Sequence, residues 1–126
     1  MWVTANSLVI YAKKGIYSTM TWRVLFLDGA VQAALEAMPA DILARFLRIT
    51  RLIESEGLLS VREPYVKHLE GPVWEMRMKG KDGIARAAYV TASEQRVVVV
   101  HVFSKKTQKT PRREIALALK RAKDVV

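Results

Sequence analysis

Two arginines, Arg77 and Arg86, flank the short segment Gly80-Lys81-Asp82-Gly83. If the chain reverses across Lys81-Asp82, Lys79 pairs with Ile84, Arg77 with Arg86, and Glu75 with Ala88. Like charges facing each other across a ladder are destabilising by some tenths of a kcal/mol up to about 1 kcal/mol, so the arginine pair calls for an anion. Glu75 can supply one within the chain. A phosphate is the other choice, because a planar guanidinium donates to its oxygens in bidentate fashion. If Thr91 in turn pairs with Arg96, His101 lies across from Arg86. A lone strand histidine is ordinary, but one beside two arginines can carry a proton to or from a group reacting at phosphorus.

The strand that carries His101 runs into Ser104-Lys105-Lys106-Thr107-Gln108-Lys109-Thr110-Pro111-Arg112-Arg113, where five of ten residues are basic and none is acidic. The segment leads to a helix start, whose free N–H groups and dipole also favour anions. Crowding Lys105, Lys106, Lys109, Arg112 and Arg113 there is unfavourable without an anionic partner, so the run reads as a phosphate-facing loop rather than a solvated one.

The elements that position these residues follow from pattern and punctuation. Residues 22–27 are bulky, aromatic and β-branched and read as a strand ended by Asp28-Gly29. Residues 30–38 form a short helix, Pro39 interrupts, and Asp41 caps a second helix that Gly57 stops. In that helix Ile42, Phe46, Ile49 and Ile53 recur at helical spacing, while Arg45, Arg48 and Arg51 fall on other faces and, taken alone, read as a solvated surface. A long connection over 58–72 carries Lys67 and His68. Strands at 73–79, 84–91 and 96–103 then make a meander, and a final helix begins at Pro111 with Thr110 as its N-cap. In the first hairpin Trp74, Met76, Met78, Ala85, Ala87 and Tyr89 share the face opposite the arginines, apolar enough to pack on helices. The architecture is α+β: first strand, helical hairpin, antiparallel three-stranded meander, C-terminal helix.

Composition narrows the function classes. The 126 residues hold 21 Lys and Arg against 12 Asp and Glu, a net charge of +9, which is the footprint of a polyanionic or acidic partner. The charge is uneven: residues 1–61 carry six bases and five acids, residues 62–126 fifteen bases and seven acids. There is no cysteine, and His68 and His101 are the two histidines, so neither a disulfide framework nor a thiolate metal site can form. No phosphate-loop, dinucleotide-binding or nucleophile-elbow motif occurs. A metal-independent mechanism with no cofactor is expected. No apolar run approaches the roughly 20 residues that span a bilayer, and residues 1–19, with Lys13 and Lys14 after the apolar stretch, are no export signal. They read as an added arm or upstream-start extension to a single domain over 20–126, and the expected location is the cytoplasm.

The segments Leu69-Glu70-Gly71, Val73-Trp74-Glu75-Met76-Arg77 and Gly83-Ile84-Ala85-Arg86, and above all Phe103 through Pro111 followed by Glu114-Ile115 and Ala118, give a pattern covering about residues 20–124. It resembles the phage-derived HigB-like branch of the RelE/ParE toxins. The resemblance implies the toxin of a type II toxin–antitoxin pair, a metal-independent endoribonuclease that cuts messenger RNA on the ribosome. Its implied partners are a HigA-like helix-turn-helix antitoxin, the ribosome and mRNA, with operator DNA reached only through the antitoxin and no membrane. Arg86 matches the strand arginine that contacts the scissile phosphate, Arg77 the arginine ending the preceding motif, and Lys105 or Lys106 a further basic catalytic residue. Lys67, Lys79, Lys109, Arg112 and Arg113 are then expected to bind RNA. Val73 and Glu75 stand where RelE carries lysines, and the C-terminal helix has no tyrosine, so His101 or a lysine must move the proton. A ParE-like gyrase inhibitor and a non-catalytic basic binding module are the alternatives on the same fold.

Overall fold

The computed structural model describes residues 3–4, 21–105 and 109–125. Strand β1 is the pair Val3–Thr4, and β2 is Arg23–Phe26. Asp28 does more than end β2: its Oδ1 accepts the Val31 N–H at 2.9 Å and so caps helix α1, Gly29–Glu36. Helix α2, Ala40–Glu56, starts after Pro39 and stops at Gly57, whose φ of 86° is a left-handed value that glycine adopts without strain. Asp41, expected as its N-cap, lies inside the first turn instead. Its Oδ1 accepts from Ile42 N at 2.9 Å and its Oδ2 from Lys81 N at 2.7 Å, which ties α2 to the first hairpin. Gly80 makes that approach possible, because a Cβ there would lie 2.7 Å from Asp41 Oδ2.

The connection over 58–72 contains a 3₁₀ turn, Leu58–Ser60, and a strand the sequence pattern does not mark, β3, Val66–Glu70. Strands β4 (Val73–Gly80), β5 (Gly83–Ala92) and β6 (Arg96–Lys105) form the expected meander, followed by helix α3, Arg112–Ala122. The sheet order is β1-β2-β6-β5-β4-β3. It is antiparallel except at one junction: β2 runs parallel to β6, from Arg23 opposite Arg96 to Phe26 opposite Val99, because the helical hairpin carries the chain back across the sheet. Apart from Val3–Thr4, which pairs with β2, the expected arm at 1–19 lies outside the described residues. Among the described residues no helix is long and apolar enough to cross a membrane.

Each face of the sheet is covered. Met76, Met78, Ala85, Ala87 and Tyr89 pack under α1 and α2, on Val31, Leu35, Phe46, Ile49 and Ile53. The other face sets Val73, Ala88, Val90, Val98, Val100 and Phe103 against Ala118 of α3. A bulge between Ala88 and Tyr89 puts one extra residue in β6, so that Ala88 pairs with His101 but Tyr89 with Val99.

Candidate phosphate-binding site

The first hairpin has the expected register: Glu75 faces Ala88, Arg77 faces Arg86, and Lys79 faces Ile84. The second does not. The turn is shorter by one position, with Ala92 opposite Arg96 and left-handed φ values of 63° and 55° at Glu94 and Gln95. Together with the bulge this sets Phe103 across from Arg86 and moves His101 two positions along, opposite Ala88. The expected convergence of His101 on Arg86 is therefore corrected.

His101 is engaged with α3. Its Nε2 lies 2.8 Å from Glu114 Oε1, and its Nδ1 is 3.4 Å from Arg121 Nη1, which also donates to the Val100 carbonyl at 2.9 Å. The ring stacks on Phe103 with centroids 4.9 Å apart. This network anchors the last helix on the sheet.

Arg86 brings a second correction. Expected on an open sheet face, it is wholly buried, and so is Glu75. The physical reason is that α3 and the residues leading into it lie over this face. Thr110 does not cap α3, whose N-cap Pro111 makes no side-chain bond; its hydroxyl donates instead to Glu75 Oε1 at 2.8 Å. Glu75 Oε2 is 3.1 Å from Arg86 Nε, close enough for an ion pair though not aligned as a hydrogen bond. Burial lowers the pKa of Arg86, Glu75 opposes that, and neighbouring Arg77 adds to the lowering. An arginine starts so high that it keeps its charge regardless. Its Nη1 and Nη2 have no hydrogen-bond partner among the described residues. Buried donors left unmade cost on the order of 1–3 kcal/mol or more when charged, so an acceptor that reached these two nitrogens would remove a cost that the fold carries.

The place for such an acceptor adjoins them. A pocket of about 250 Å³ is lined by Arg45, Tyr65, Arg77, Lys79, Ile84 and Arg86, with Pro64 at its rim and no carboxylate in its lining. Four cationic side chains converge there on a volume that suits a phosphate with part of its nucleoside. A larger cavity, about 830 Å³, is lined by Trp22, Leu59, Val66, Trp74 and Tyr89 among others. Its basic residues, Arg62, Lys67 and His68, share the lining with the carboxylate of Glu63, whereas the smaller pocket has four cations and no carboxylate.

The other expected site residues spread out from the pocket. Lys105 ends β6 opposite Ile84, in the same register row as Lys79, whereas Lys106 lies outside the described residues. Lys67 is exposed on β3 at the position paired with Glu75, and Lys109 is exposed beside the start of α3. Arg112 is held by Glu70 through both carboxylate oxygens, its Nη2 standing 2.9 Å from Oε2, and the hydrogen-bonded guanidinium holds the Glu70 carboxyl below its usual pKa. Arg113 is exposed, with Nε 4.0 Å from Glu114 Oε2.

Two pocket residues escape sequence reasoning. Arg45 reads as one of several solvated helix arginines until α2 is docked on the hairpin through Asp41. Tyr65 sits in a connection, whereas the sequence search for an aromatic base-stacking group looks to the C-terminal helix. Its signal is weak, a lone tyrosine after Pro64.

The helix-flanked sheet is an α+β architecture of RelE-like fold. The chain is similar in fold to the crystal structure of the archaeal RelE–RelB complex from Pyrococcus horikoshii OT3, with a TM-score of 0.51 and 24% identity over 71% of this chain and 100% of that one. Residues 33–123 match the family model described as phage derived protein Gp49-like (DUF891), and the chain belongs to that family. No curated protein sequence matches it.

Proposed function

We propose that this protein is the toxin of a type II toxin–antitoxin pair that acts in the cytoplasm, cutting messenger RNA on the ribosome without a metal. A helix-turn-helix antitoxin of the HigA type would hold it off, by laying acidic residues on the basic face or by bulk, and would alone contact operator DNA. The RelE-like fold and Gp49-like family support the toxin reading. The observation that carries the chemistry is Arg86, buried with two unpartnered nitrogens beside a pocket of three further cations.

In this reading Arg86 and Arg77 take the non-bridging oxygens of the scissile phosphate, and Lys79 and Arg45 add positive potential as charge builds. Tyr65 stacks on an adjoining base. The RNA 2′-hydroxyl gives its proton to water and attacks phosphorus, a 2′,3′-cyclic phosphate forms, and the bond to the 5′ oxygen breaks as that oxygen gains a proton. His101 is occupied by Glu114, so the proton donor is assigned to a lysine, Lys79 or Lys105 in their shared row. Lys106, Lys109, Lys67 and Arg113 guide the approaching RNA by charge.

Arg77→Ala provides the test, since Arg77 is half-buried and its loss leaves the Glu75–Arg86 pair intact. Ribosome-programmed cleavage should slow by about a hundred-fold or more, the scale of one preorganised donor, while the melting temperature stays near that of the parent. Cleavage at the parental rate would refute the site. Growth arrest by the parent without new RNA ends would refute the nuclease and favour gyrase as the target.

A further inference from the structure

Helix α2 presents a second cationic feature that the pocket does not use up. Arg45, Arg48 and Arg51 are all exposed and follow one another at three-residue steps, a slanting row with about 4.5 Å of rise between members. Like charges at this spacing repel. Among the described residues none of the three makes an ion pair or hydrogen bond. The acids within reach along the helix are otherwise engaged: Asp41 spends both oxygens on the amides of Ile42 and Lys81, and Glu54 is buried. The row lines a shallow groove of about 670 Å³ with Asp41, Ala44 and Leu52. Arg45 belongs to this groove and also to the phosphate pocket, so the two are continuous.

We propose that the α2 arginine row is the exit path of the substrate strand: RNA leaving the pocket lays successive phosphates on Arg45, Arg48 and Arg51. Three features select a nucleic-acid backbone over an acidic protein segment. The charges are of one type, the guanidinium that matches phosphate in two-point contact. They form an open track rather than a closed patch, as in single-strand grooves. The track also begins at a pocket already suited to one phosphate and an aromatic-stacked base. The inference rests on reading that pocket as an RNA site, and its test keeps the two apart.

Two uncleavable probes of one sequence, a 2′-O-methyl trimer and a 2′-O-methyl nonamer, would be titrated against the full chain by fluorescence anisotropy at several KCl concentrations. A trimer fills the pocket, whereas a nonamer also reaches the row. The parent should bind the nonamer more tightly. The double variant Arg48→Gln/Arg51→Gln should weaken the nonamer about tenfold and lower its log–log salt slope by about 1.4, two single-strand phosphate contacts, while trimer binding and the thermal melt stay unchanged. An unaffected nonamer would overturn the proposal and leave the row as a solvated face. Equal weakening of both probes would also overturn it, because loss of general charge ignores length, as would a parent that binds the two probes alike. Arg77→Ala should weaken both probes. If it weakens neither, the pocket reading fails, whatever the row does.

Discussion

The two faces of the central sheet are closed by different physics. Under α1 and α2 the burial is mainly apolar, with Met76, Met78, Ala87 and Tyr89 meeting Phe46, Ile49 and Ile53, and Thr50 and Glu54 of α2 are the buried exceptions. Under α3 the valines of β5 and β6 share the space with a buried Glu75–Arg86 pair and the Thr110 hydroxyl that completes it. The apolar contacts of the first face rest on shape and hydrophobicity, and they tolerate exchange of one apolar residue for another of like volume. The second keeps a charge out of water at a net cost that packing alone would avoid. The proposed function gives this pair a use that offsets its cost, through the two nitrogens of Arg86 that have no partner among the described residues.

The largest effect should come from breaking each face at its centre. Arg86→Ala leaves the Glu75 carboxylate buried without its cation and should cost about 3–5 kcal/mol, comparable to about 2–5 kcal/mol for Ile49→Ala on the apolar face. The faces part company on rescue. Adding Glu75→Gln to Arg86→Met, which removes both charges and keeps an acceptor for Thr110, should restore most of the stability in urea unfolding while cleavage stays lost. A double variant as unstable as Arg86→Ala would show that the ion pair is not what holds this side.

One chemical change made on both sides gives the next contrast. Thr110→Val removes the donor to Glu75 Oε1 and should destabilise by roughly 1–3 kcal/mol, the cost of a buried acceptor left unmade. Thr50, on α2, is also fully buried, but its Oγ1 has no hydrogen-bond partner among the described residues. Thr50→Val should be neutral or stabilising. Thermal melts of the two valine variants that shift in the same direction would erase the distinction between the faces.

The smallest effect lies at the rim, where exposed Glu70 holds Arg112. Arg112 depresses the Glu70 pKa, so the folded state binds the proton less readily than the unfolded chain. The contribution to stability is thus present above the unfolded-state carboxylate pKa and is lost as pH falls through the lower folded value. Solvent screening keeps it slight. Glu70→Gln should flatten the acid limb of the stability–pH curve a little and lower stability only slightly at neutral pH, where the pair contributes in full; a large neutral-pH loss would mean that the pair pins α3.

Much of the first hairpin was legible in the sequence because error there is expensive. A one-residue slip of β4 on β5 would drive Arg86 among Met76, Met78 and Tyr89, so the alternation of residue types decides the register. The second hairpin lacks that signal: Val97 to Val100 suit either face, so neither the bulge nor the displacement of His101 can be read from them. Strand β3 is hidden for a related reason. Its Lys67, His68 and Glu70 are polar edge residues, and pairing with β4 makes them a strand more than any propensity does. The burial of Arg86 also escapes, since alternation assigns a residue to a face without saying what covers it. Arg45 and Tyr65 join the site through contacts between elements distant in the chain, which no local pattern records.

The parallel seam between β2 and β6 has a consequence for biosynthesis. Residues 23–26 are among the first of the domain to leave the ribosome, yet their partner strand spans 96–99 and lies between β2 and β5 in the finished sheet. Contacts of such sequence separation form late, after the entropy of closing a long loop has been met. The meander can pair as it emerges, but the helical hairpin that carries Arg45 has no completed sheet to dock on until β6 is made. The residues that line the pocket, from Arg45 to Arg86, are all made before β6, yet β2 joins the meander through β6. On the proposed reading, a chain that stops short of β6 should be inert.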